Sequence, residues 1–194
     1  MKWRRLGARG PTVSAIGLGA GSATTHFGSR DDEVQIETMQ RALDLGVTFF
    51  DTADRYMKGR HEHLLGRALK GRRSEAVLAS KFGNFDLPDG RKGYNGRPEY
   101  VPQACDASLR NLGVDYIDLY ICHQPDSFVA VDETMRAFDD LVSQGKVRYV
   151  GCSNHSAWQV MKALAAADRA GLTGYGCQQG LNSLISRDAG HGTA

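Results

Sequence analysis

Three features of the 194-residue sequence predict an α/β fold. Short apolar runs recur along the chain, and segments with the apolar spacing of a helix lie between them. A distinctive polar residue ends most of these runs. Together the features favour a (β/α)8 TIM barrel type of fold, apparently incomplete with about six strand–helix units, in one domain over residues 1–194 with an N-terminal β-hairpin.

Six apolar runs are predicted to form strands, because they are rich in the branched and aromatic side chains of buried strands. The runs are SAIGLGA, VTFF, AVLASKF, YIDLYICH, VRYVGCSN and GYGCQQ. Before the first run, KWRRLGARGPTVS offers two extended pieces about a turn. We expect a hairpin there that plugs the amino end of the barrel.

Five segments between the runs carry apolar residues three and four positions apart, which predicts helices. They span residues 32–45, 62–70, 98–112, 132–144 and 156–170. Asp132 and Ser156 suit helix N-caps, and Pro98 suits a first helical turn. Each helix closes on a glycine, where a left-handed cap costs least: Gly46, Gly71, Gly113, Gly145 and Gly171. The long loop over residues 83–100 is expected to form a lid or wall at the carboxyl end.

The polar strand ends decide between an open sheet and a barrel. Ligand groups of an open sheet gather at one switch point, whereas a barrel brings the carboxyl ends of all its strands around one mouth. Five consecutive strands end in such groups, which favours the barrel. The glycines at 17, 19 and 21 do not form a GxGxxG phosphate fingerprint. The strand-end residues are Asp51, Lys81, His123, Ser153 with Asn154, and Gln179.

Composition argues against several functional classes. The chain has 24 basic and 22 acidic residues and a net charge of +2, so nothing favours nucleic acid or a polybasic membrane contact. No apolar run approaches the roughly 20 residues that span a bilayer, and the amino terminus is too Gly-rich for a secretory signal. The four cysteines form no CxxC pair, which indicates reduced thiols in a cytoplasmic protein. The HEH triplet lacks the spacing of HExxH, so no metal site is expected.

A coherent chemistry results if four polar residues meet at one mouth: Asp51, Tyr56, Lys81 and His123. A tyrosine, with an unperturbed pKa of about 10, exchanges protons poorly at neutral pH. A nearby lysine ammonium lowers that pKa, and a carboxylate holds the lysine charged. A histidine beside them donates a hydrogen bond to a carbonyl oxygen. Because no side chain supplies a hydride, this proton relay implies a nicotinamide cofactor.

Each of these residues also has a structural interpretation when it is taken alone. Asp51 and Lys81 could be an ion pair that only supports the fold, His123 a hydrogen-bonded core histidine, and Tyr56 an ordinary loop aromatic. Their joint placement at successive strand ends favours a functional role. The neighbouring Asp54 is assigned no role, and neither is Arg55.

Five motifs resemble those of the aldo-keto reductases in order and in spacing: FFDTADRY, ASKFG, DLYICHQPD, GKVRYVGCSN and QQGLNSLISR. The resemblance runs from the amino-terminal hairpin to Arg187. It implies that Tyr56 is the general acid of a catalytic tetrad completed by Asp51, Lys81 and His123. Glu62 matches the acidic residue that opens the helix after the tyrosine loop of the family.

The resemblance also implies NADP(H) as the cofactor. The Ser–Asn pair and the Gln that bind the nicotinamide carboxamide in the family map to Ser153, Asn154 and Gln179. Gln179 is chosen over Gln178 because the family places its Gln eight residues before the Arg that matches Arg187. Gly19 and Asp51 are assigned to the same cofactor site.

The chain departs from the family pattern in two places. Asn182 stands where the family often has Tyr, and the residues after Arg187, DAGHGTA, lack the apolar run of a seventh strand. In relatives the part of the barrel after the sixth strand carries the aromatic residue that stacks on the nicotinamide and the residues that bind the adenosine 2′-phosphate of NADPH. We therefore expect a carboxyl-terminally truncated member with two unpaired strand edges.

The sequence predicts an oxidoreductase that reduces a small aldehyde or ketone to an alcohol by hydride transfer from NADPH. Two alternatives stay open. The chain could be a catalytically impaired fragment, or it could be a cofactor-sensing auxiliary protein, since some relatives serve ion channels in that way. Turnover separates the reductase from the sensor. A cooperative thermal transition with cofactor-quenched tryptophan fluorescence argues against the inactive fragment. The choice of carbonyl is not specified, because substrate loops diverge freely. The oligomeric state is not specified either.

Overall fold

The computed structural model describes residues 1–20, 31–181 and 183–185. Strands and helices alternate through most of this part of the chain. The strands are β1 (Trp3–Arg5), β2 (Thr12–Ser14), β3 (Gly17–Gly19), β4 (Phe49–Asp51), β5 (Val77–Phe82), β6 (Asn84–Asp86), β7 (Lys92–Tyr94), β8 (Ile117–Cys122), β9 (Val147–Ser153) and β10 (Cys177–Gln179). The helices are α1 (Asp32–Asp44), α2 (Arg60–Ala68), α3 (Tyr100–Leu112), α4 (Val131–Ser143) and α5 (Ala157–Ala170).

The central sheet is parallel, and its six strands within the described residues follow chain order: β3, β4, β5, β8, β9 and β10. A doubly wound sheet reverses its strand order at a switch point, whereas a barrel adds each new strand on the same side. The helices pack in the same succession, each against the next from α1 to α5. The predicted fold of the (β/α)8 type with about six units is therefore confirmed.

The helix boundaries agree with the sequence prediction to within about two residues. The agreement is expected, because a glycine marks the carboxyl end of each helix. The five closing glycines all have positive φ, between 64° and 87°. Ser156 is an N-cap, with its backbone N–H donating to Gln159 Oε1 at 2.8 Å. The N-cap prediction for Asp132 is wrong, because Ala130 is the N-cap of α4. Asp132 lies in the first turn, where its negative charge interacts favourably with the positive end of the helix dipole. The prediction that Pro98 lies in the first helical turn is also wrong, because Pro98 lies in a turn two residues before α3.

Two hydrophobic clusters lie on opposite faces of the parallel sheet, because neighbouring strand residues point to opposite sides. The larger cluster packs between the sheet and the helices and includes Phe82 and Tyr120, whose rings stack at 5.0 Å. The smaller cluster fills the barrel interior and contains Ala79, Leu119 and Ile121. Polar residues that end the strands on this interior face therefore meet at the mouth.

The predicted amino-terminal hairpin is present, with β1 and β2 antiparallel. Leu6 in its turn packs against the interior cluster beside Phe49 and Cys177, which begin their strands. Gly7 has φ of 62°, and a Cβ there would lie 2.1 Å from the carbonyl oxygen of Gly176. The hairpin thus covers the amino end of the interior and needs a glycine at its closest approach.

The segment over residues 83–100, expected from the sequence as a lid or wall, contains a second hairpin. Strands β6 and β7 pair antiparallel directly after the carboxyl end of β5. The N–H of Asn95 donates to the carbonyl of Gly83 at 2.8 Å and closes the base of this hairpin. Its low apolar content fits a structure that projects from the sheet rather than joining the core.

The four cysteines are free thiols, and Cys177 alone among them is half-buried. Burial raises the pKa of Cys105, Cys122 and Cys152 to about 12 and that of Cys177 to about 11. A thiol with so high a pKa is a packing group rather than a nucleophile. No helix in the described ranges has the length and apolar character that a bilayer crossing needs.

Candidate active site

Lys81 is 2% exposed at the carboxyl end of β5, and its ammonium has two oxygen partners. The Nζ atom lies 2.6 Å from Asp51 Oδ2 and 2.8 Å from the carbonyl oxygen of Thr52. The sheet register pairs Asp51 with Ala79, two residues before Lys81, so both side chains share the interior face. Because a buried ammonium is costly unless it is paired and hydrogen-bonded, this contact fixes the ammonium at the mouth.

Tyr56 lies in the loop that follows β4, close to two of the other predicted site residues. The Lys81 ammonium is 5.1 Å from the centroid of the Tyr56 ring, and the His123 ring centroid is 5.8 Å away. The loop turns sharply after the tyrosine: Met57 and Lys58 have φ of 50° and 55°. Two successive non-glycine residues in the left-handed region indicate backbone strain next to the phenol.

His123 follows β8 and is 9% exposed. Its backbone N–H donates to the carbonyl of Phe82 at 3.0 Å, and its own carbonyl accepts from Asn154 Nδ2 at 2.8 Å. Burial, and then the charges of Lys81 and Arg55, lower the pKa of His123 to about 4. The imidazole is therefore neutral at physiological pH, and its buried Nδ1 has no hydrogen-bond partner among the described residues.

The residues predicted to bind the cofactor form a hydrogen-bonded group beside the mouth. Ser153 Oγ donates to the carbonyl of Gln179 at 2.8 Å, and Asn154 Nδ2 donates to Ser153 Oγ at 3.0 Å. Gln179 Nε2 donates to Asp51 Oδ2 at 3.4 Å. Asn154 and Gln179 are exposed, and their side-chain oxygens accept no hydrogen bond from the described part of the chain. Free amide oxygens of this kind suit the N–H donors of a primary carboxamide.

Gly19 and Gln178 take different positions at this edge. Gly19 ends β3 and pairs with Asp51, and the next N–H, of Ala20, donates to the Asp51 carbonyl at 2.7 Å. Gln178 pairs with Cys152, on the face that packs against the helices, and its Nε2 donates to the carbonyl of His155 at 2.5 Å. Gln179, and not Gln178, therefore shares the interior face with Asp51.

Two loop residues that the sequence left without a role make contacts around the predicted tetrad, one with Lys81 and one with the neighbouring hairpin. The N–H of Asp54 donates to the Lys81 carbonyl at 3.0 Å, and burial together with the Glu62 carboxylate raises the pKa of Asp54 to about 7. Arg55 forms a 3.3 Å ion pair with Asp86 and so links the tyrosine loop to the β6–β7 hairpin. No local motif reveals either contact, because each partner lies about 30 residues away or belongs to another element.

Glu62 anchors the far end of the tyrosine loop. Its side chain is fully buried, with Oε1 accepting from Ser80 Oγ at 2.6 Å and Oε2 accepting from Asn111 Nδ2 at 2.9 Å. These bonds tie the start of α2 to β5 and to α3. The acidic residue that the resemblance singles out is thus a structural support for the loop that carries Tyr56.

The described residues contain no group of three His, Cys, Asp or Glu side chains arranged to hold a metal ion. Three residues that the sequence analysis named lie outside the residues that the structure describes: Gly21, Asn182 and Arg187.

Comparison with known proteins agrees with this architecture. The model of the aldo/keto reductase family matches residues 15–188. The aldo-keto reductase yakc [NADP(+)] of Schizosaccharomyces pombe is 39% identical over 157 residues, which cover 79% of this chain and 46% of that protein.

Solved structures show the same likeness. The holo form of the aldo-keto reductase AKR11C1 from Bacillus halodurans superposes with a TM-score of 0.83 and 32% identity, over 100% of this chain and 64% of that chain. The glycerol dehydrogenase AKR11B4 from Gluconobacter oxydans has a TM-score of 0.81 and 28% identity, over 95% of this chain and 56% of that chain. The chain spans about half the length of the curated relative, and it belongs to the aldo/keto reductase family.

Proposed function

We propose that this chain reduces an aldehyde or ketone to an alcohol, with NADPH as the hydride source and Tyr56 as the proton donor. The observation that carries the proposal is the position of the Lys81 ammonium, which is bonded to Asp51 and lies 5.1 Å from the Tyr56 ring. Family membership supports the reaction class, and the name of the yeast relative supports NADP(H).

The proton chemistry follows from the charges around the phenol. When negative charge develops on the carbonyl oxygen, Tyr56 donates its hydroxyl proton and is left as a tyrosinate. The Lys81 ammonium favours that anion, since an opposite charge nearby stabilises the ionised form. Asp51 and the Thr52 carbonyl hold the ammonium in place, so the favourable charge is oriented before the reaction begins.

His123 takes a different part, because its lowered pKa keeps the imidazole neutral. A neutral imidazole has one N–H donor, which can orient the substrate carbonyl next to the Tyr56 hydroxyl. It adds no second positive charge beside Lys81. Tyr56 is therefore the acid in this proposal, and His123 is the orienting donor.

The cofactor fits the group formed by Ser153, Asn154 and Gln179. The two unoccupied amide oxygens of Asn154 and Gln179 can accept the N–H groups of a nicotinamide carboxamide. Gly19 and Asp51 lie beside them at the same edge of the sheet. NADPH supplies a hydride when it is bound, and these side chains would orient its nicotinamide ring towards the tyrosine.

The test is NADPH titration of the purified 194-residue chain, followed by aldehyde-dependent NADPH oxidation. Saturable cofactor binding with turnover supports the reductase. Binding without turnover would favour the cofactor-sensing alternative. The absence of both binding and a cooperative thermal transition would favour the inactive fragment.

A further inference from the structure

Three cationic side chains lie around one carboxylate where the tyrosine loop meets the β6–β7 hairpin. We call this group the cationic rim, and its members are Arg55, Lys58, Lys92 and Asp86. Asp86 and Lys92 are directly paired across the hairpin, so their side chains share one of its faces. The ion pair between Arg55 and Asp86 turns that face towards the loop that carries Tyr56.

Positive charge exceeds negative charge in the cationic rim. Asp86 Oδ1 accepts a hydrogen bond from Arg55 Nη2 at 3.3 Å and another from Lys92 Nζ. The Lys92 hydrogen bond, followed by the charges of Lys92, Arg55 and Lys58, lowers the pKa of the Asp86 carboxyl, so this group is ionised at neutral pH. Three cations against one carboxylate leave two positive charges in excess.

The Arg55 guanidinium keeps hydrogen-bonding capacity for a further anion. Its side chain is 28% exposed, and its contact with Asp86 is long for an N–H···O bond. A guanidinium has five N–H donors, and within the described ranges Nη2 is the one guanidinium nitrogen of Arg55 with a hydrogen-bond partner. Such donors form short, charge-assisted hydrogen bonds with carboxylate oxygens. A second carboxylate therefore finds free donors here beside Asp86.

Arg55 immediately precedes the proposed proton donor Tyr56, and its charge reaches the reaction site. Burial, the Lys81 ammonium and the Arg55 guanidinium lower the pKa of His123, in that order of size. Both charges that act on this imidazole are thus positive. A site of this kind attracts a substrate with an anionic group and repels a cationic one.

The cationic rim and the group proposed to hold the nicotinamide carboxamide lie on opposite sides of β8. The rim follows β4 and β5, whereas that group lies at the ends of β9 and β10: Ser153, Asn154 and Gln179. Tyr56 lies on the rim side, with its ring 5.8 Å from the ring of His123, which follows β8. An anion at the rim therefore belongs to the substituent of a substrate rather than to the nicotinamide end of the cofactor.

We propose that the aldehyde or ketone reduced by this chain carries a carboxylate, which Arg55 binds at the cationic rim while the carbonyl lies at Tyr56. The inference rests on the proposed reductase function and names the substrate class of that same site. Arg55 is then the residue that selects the substrate, and Lys58 and Lys92 add favourable charge around the bound carboxylate.

The test compares kcat/KM for two matched pairs of aldehydes, with NADPH and the full chain at low ionic strength, where exposed charges are least screened. One member of each pair is 4-oxobutanoate or 6-oxohexanoate. The other is the aldehyde in which an isopropyl group of similar shape replaces the carboxylate. We expect the carboxylated member to have the higher kcat/KM, by about tenfold or more in at least one pair, as a charge-assisted hydrogen bond allows.

Three variants separate direct binding from support of the fold. Arg55→Gln removes the cation and should abolish most of the preference for the carboxylated aldehyde. Asp86→Asn breaks the same ion pair from its other side but keeps the guanidinium, so the preference should be kept or increased. Arg91→Gln removes an equal charge at the hairpin turn, where the side chain is 79% exposed and pairs with Asp89, and should leave the preference unchanged.

Equal kcat/KM values within both pairs, for aldehydes that are reduced, would overturn this inference and leave the proposed reductase standing, whichever variants fold. Reduction of no aldehyde would overturn the proposed function and the inference with it. An equal loss of preference in Arg55→Gln and Asp86→Asn would assign the effect to loop support, and an equal loss in Arg91→Gln would assign it to overall charge. Either result would overturn the direct contact with Arg55.

Discussion

The ammonium of Lys81 lies 2.6 Å from Oδ2 of Asp51, at the carboxyl ends of two neighbouring strands. Lys81 is 2% exposed, so the carboxylate is the main compensation for the charge that the fold removes from water. The pair thus supports the stability of the sheet and also prepares a positive charge beside Tyr56. Both roles can be measured.

Asp51→Asn should lower the free energy of unfolding by about 3–5 kcal/mol, since it leaves a buried ammonium without its counter-charge. Urea unfolding gives this value. The matched control is Glu33→Gln, which breaks an ion pair of the same length, 2.6 Å to Arg67, on the exposed surface. Its cost should stay below about 1 kcal/mol. Similar losses in the two variants would contradict the assigned burial of the Lys81 charge.

The imidazole of His123 should titrate with a midpoint near its pKa of about 4, and so remain neutral from about pH 5 upward. In the unfolded chain a histidine takes up its proton near pH 6.5. Between these two values the unfolded state binds more protons, so stability falls as the pH is lowered through this window. NMR of the His123 ring carbons measures the midpoint directly. A midpoint near 6.5 would show that burial and Lys81 do not act on the ring.

The carboxyl of Asp54 has its pKa raised to about 7, which gives the opposite pH dependence. The folded state holds this proton up to about pH 7, whereas the unfolded state releases it near 3.8, so stability falls as the pH rises between these values. Asp54→Asn should therefore stabilise the protein by about 1–3 kcal/mol at about pH 8 and have little effect near pH 4.

Denaturant unfolding at several pH values checks this expectation. The control is Asp86→Asn: the exposed Asp86 carboxyl has a lowered pKa beside Lys92, so its removal should cause a small loss of stability above pH 4. An Asp54→Asn effect that does not change with pH would contradict the raised pKa.

Met57→Gly should stabilise the chain by about 1 kcal/mol, because Met57 has φ of 50° and a glycine adopts that conformation without a Cβ clash. Met57→Ala keeps the strained Cβ and removes only an exposed side chain, so it should give no gain. Thermal unfolding of the two variants separates backbone strain from side-chain effects. An equal gain in both would assign the effect to the side chain.

The sequence was sufficient for those features of the fold that depend on local pattern. Apolar runs located the parallel strands, and glycines such as Gly113 marked helix ends because few other residues adopt a positive φ there. The register of side chains along a strand also brought Asp51 and Lys81 to the same face. The first two of these inferences use neighbours within a few positions along the chain, and the third adds only the parallel alignment of two adjacent strands.

Other features depend on contacts that no local pattern encodes. The ion pair between Arg55 and Asp86 joins the tyrosine loop to strand β6, and the raised pKa of Asp54 requires burial next to Glu62. Asp132 has the residue type of an N-cap, but the helix begins at Val131, so tertiary packing overrode a weak local preference.

The proton-donor role that we propose for Tyr56 is tested most directly by aldehyde-dependent NADPH oxidation in a Tyr56→Phe variant, with NADPH binding measured by tryptophan quenching in the same preparation. Phe keeps the ring between Lys81 and His123 and removes only the hydroxyl. We expect turnover to fall by about 10²- to 10⁴-fold while cofactor affinity stays unchanged. Turnover equal to that of the unmodified chain, with the cofactor still bound, would contradict the role of Tyr56.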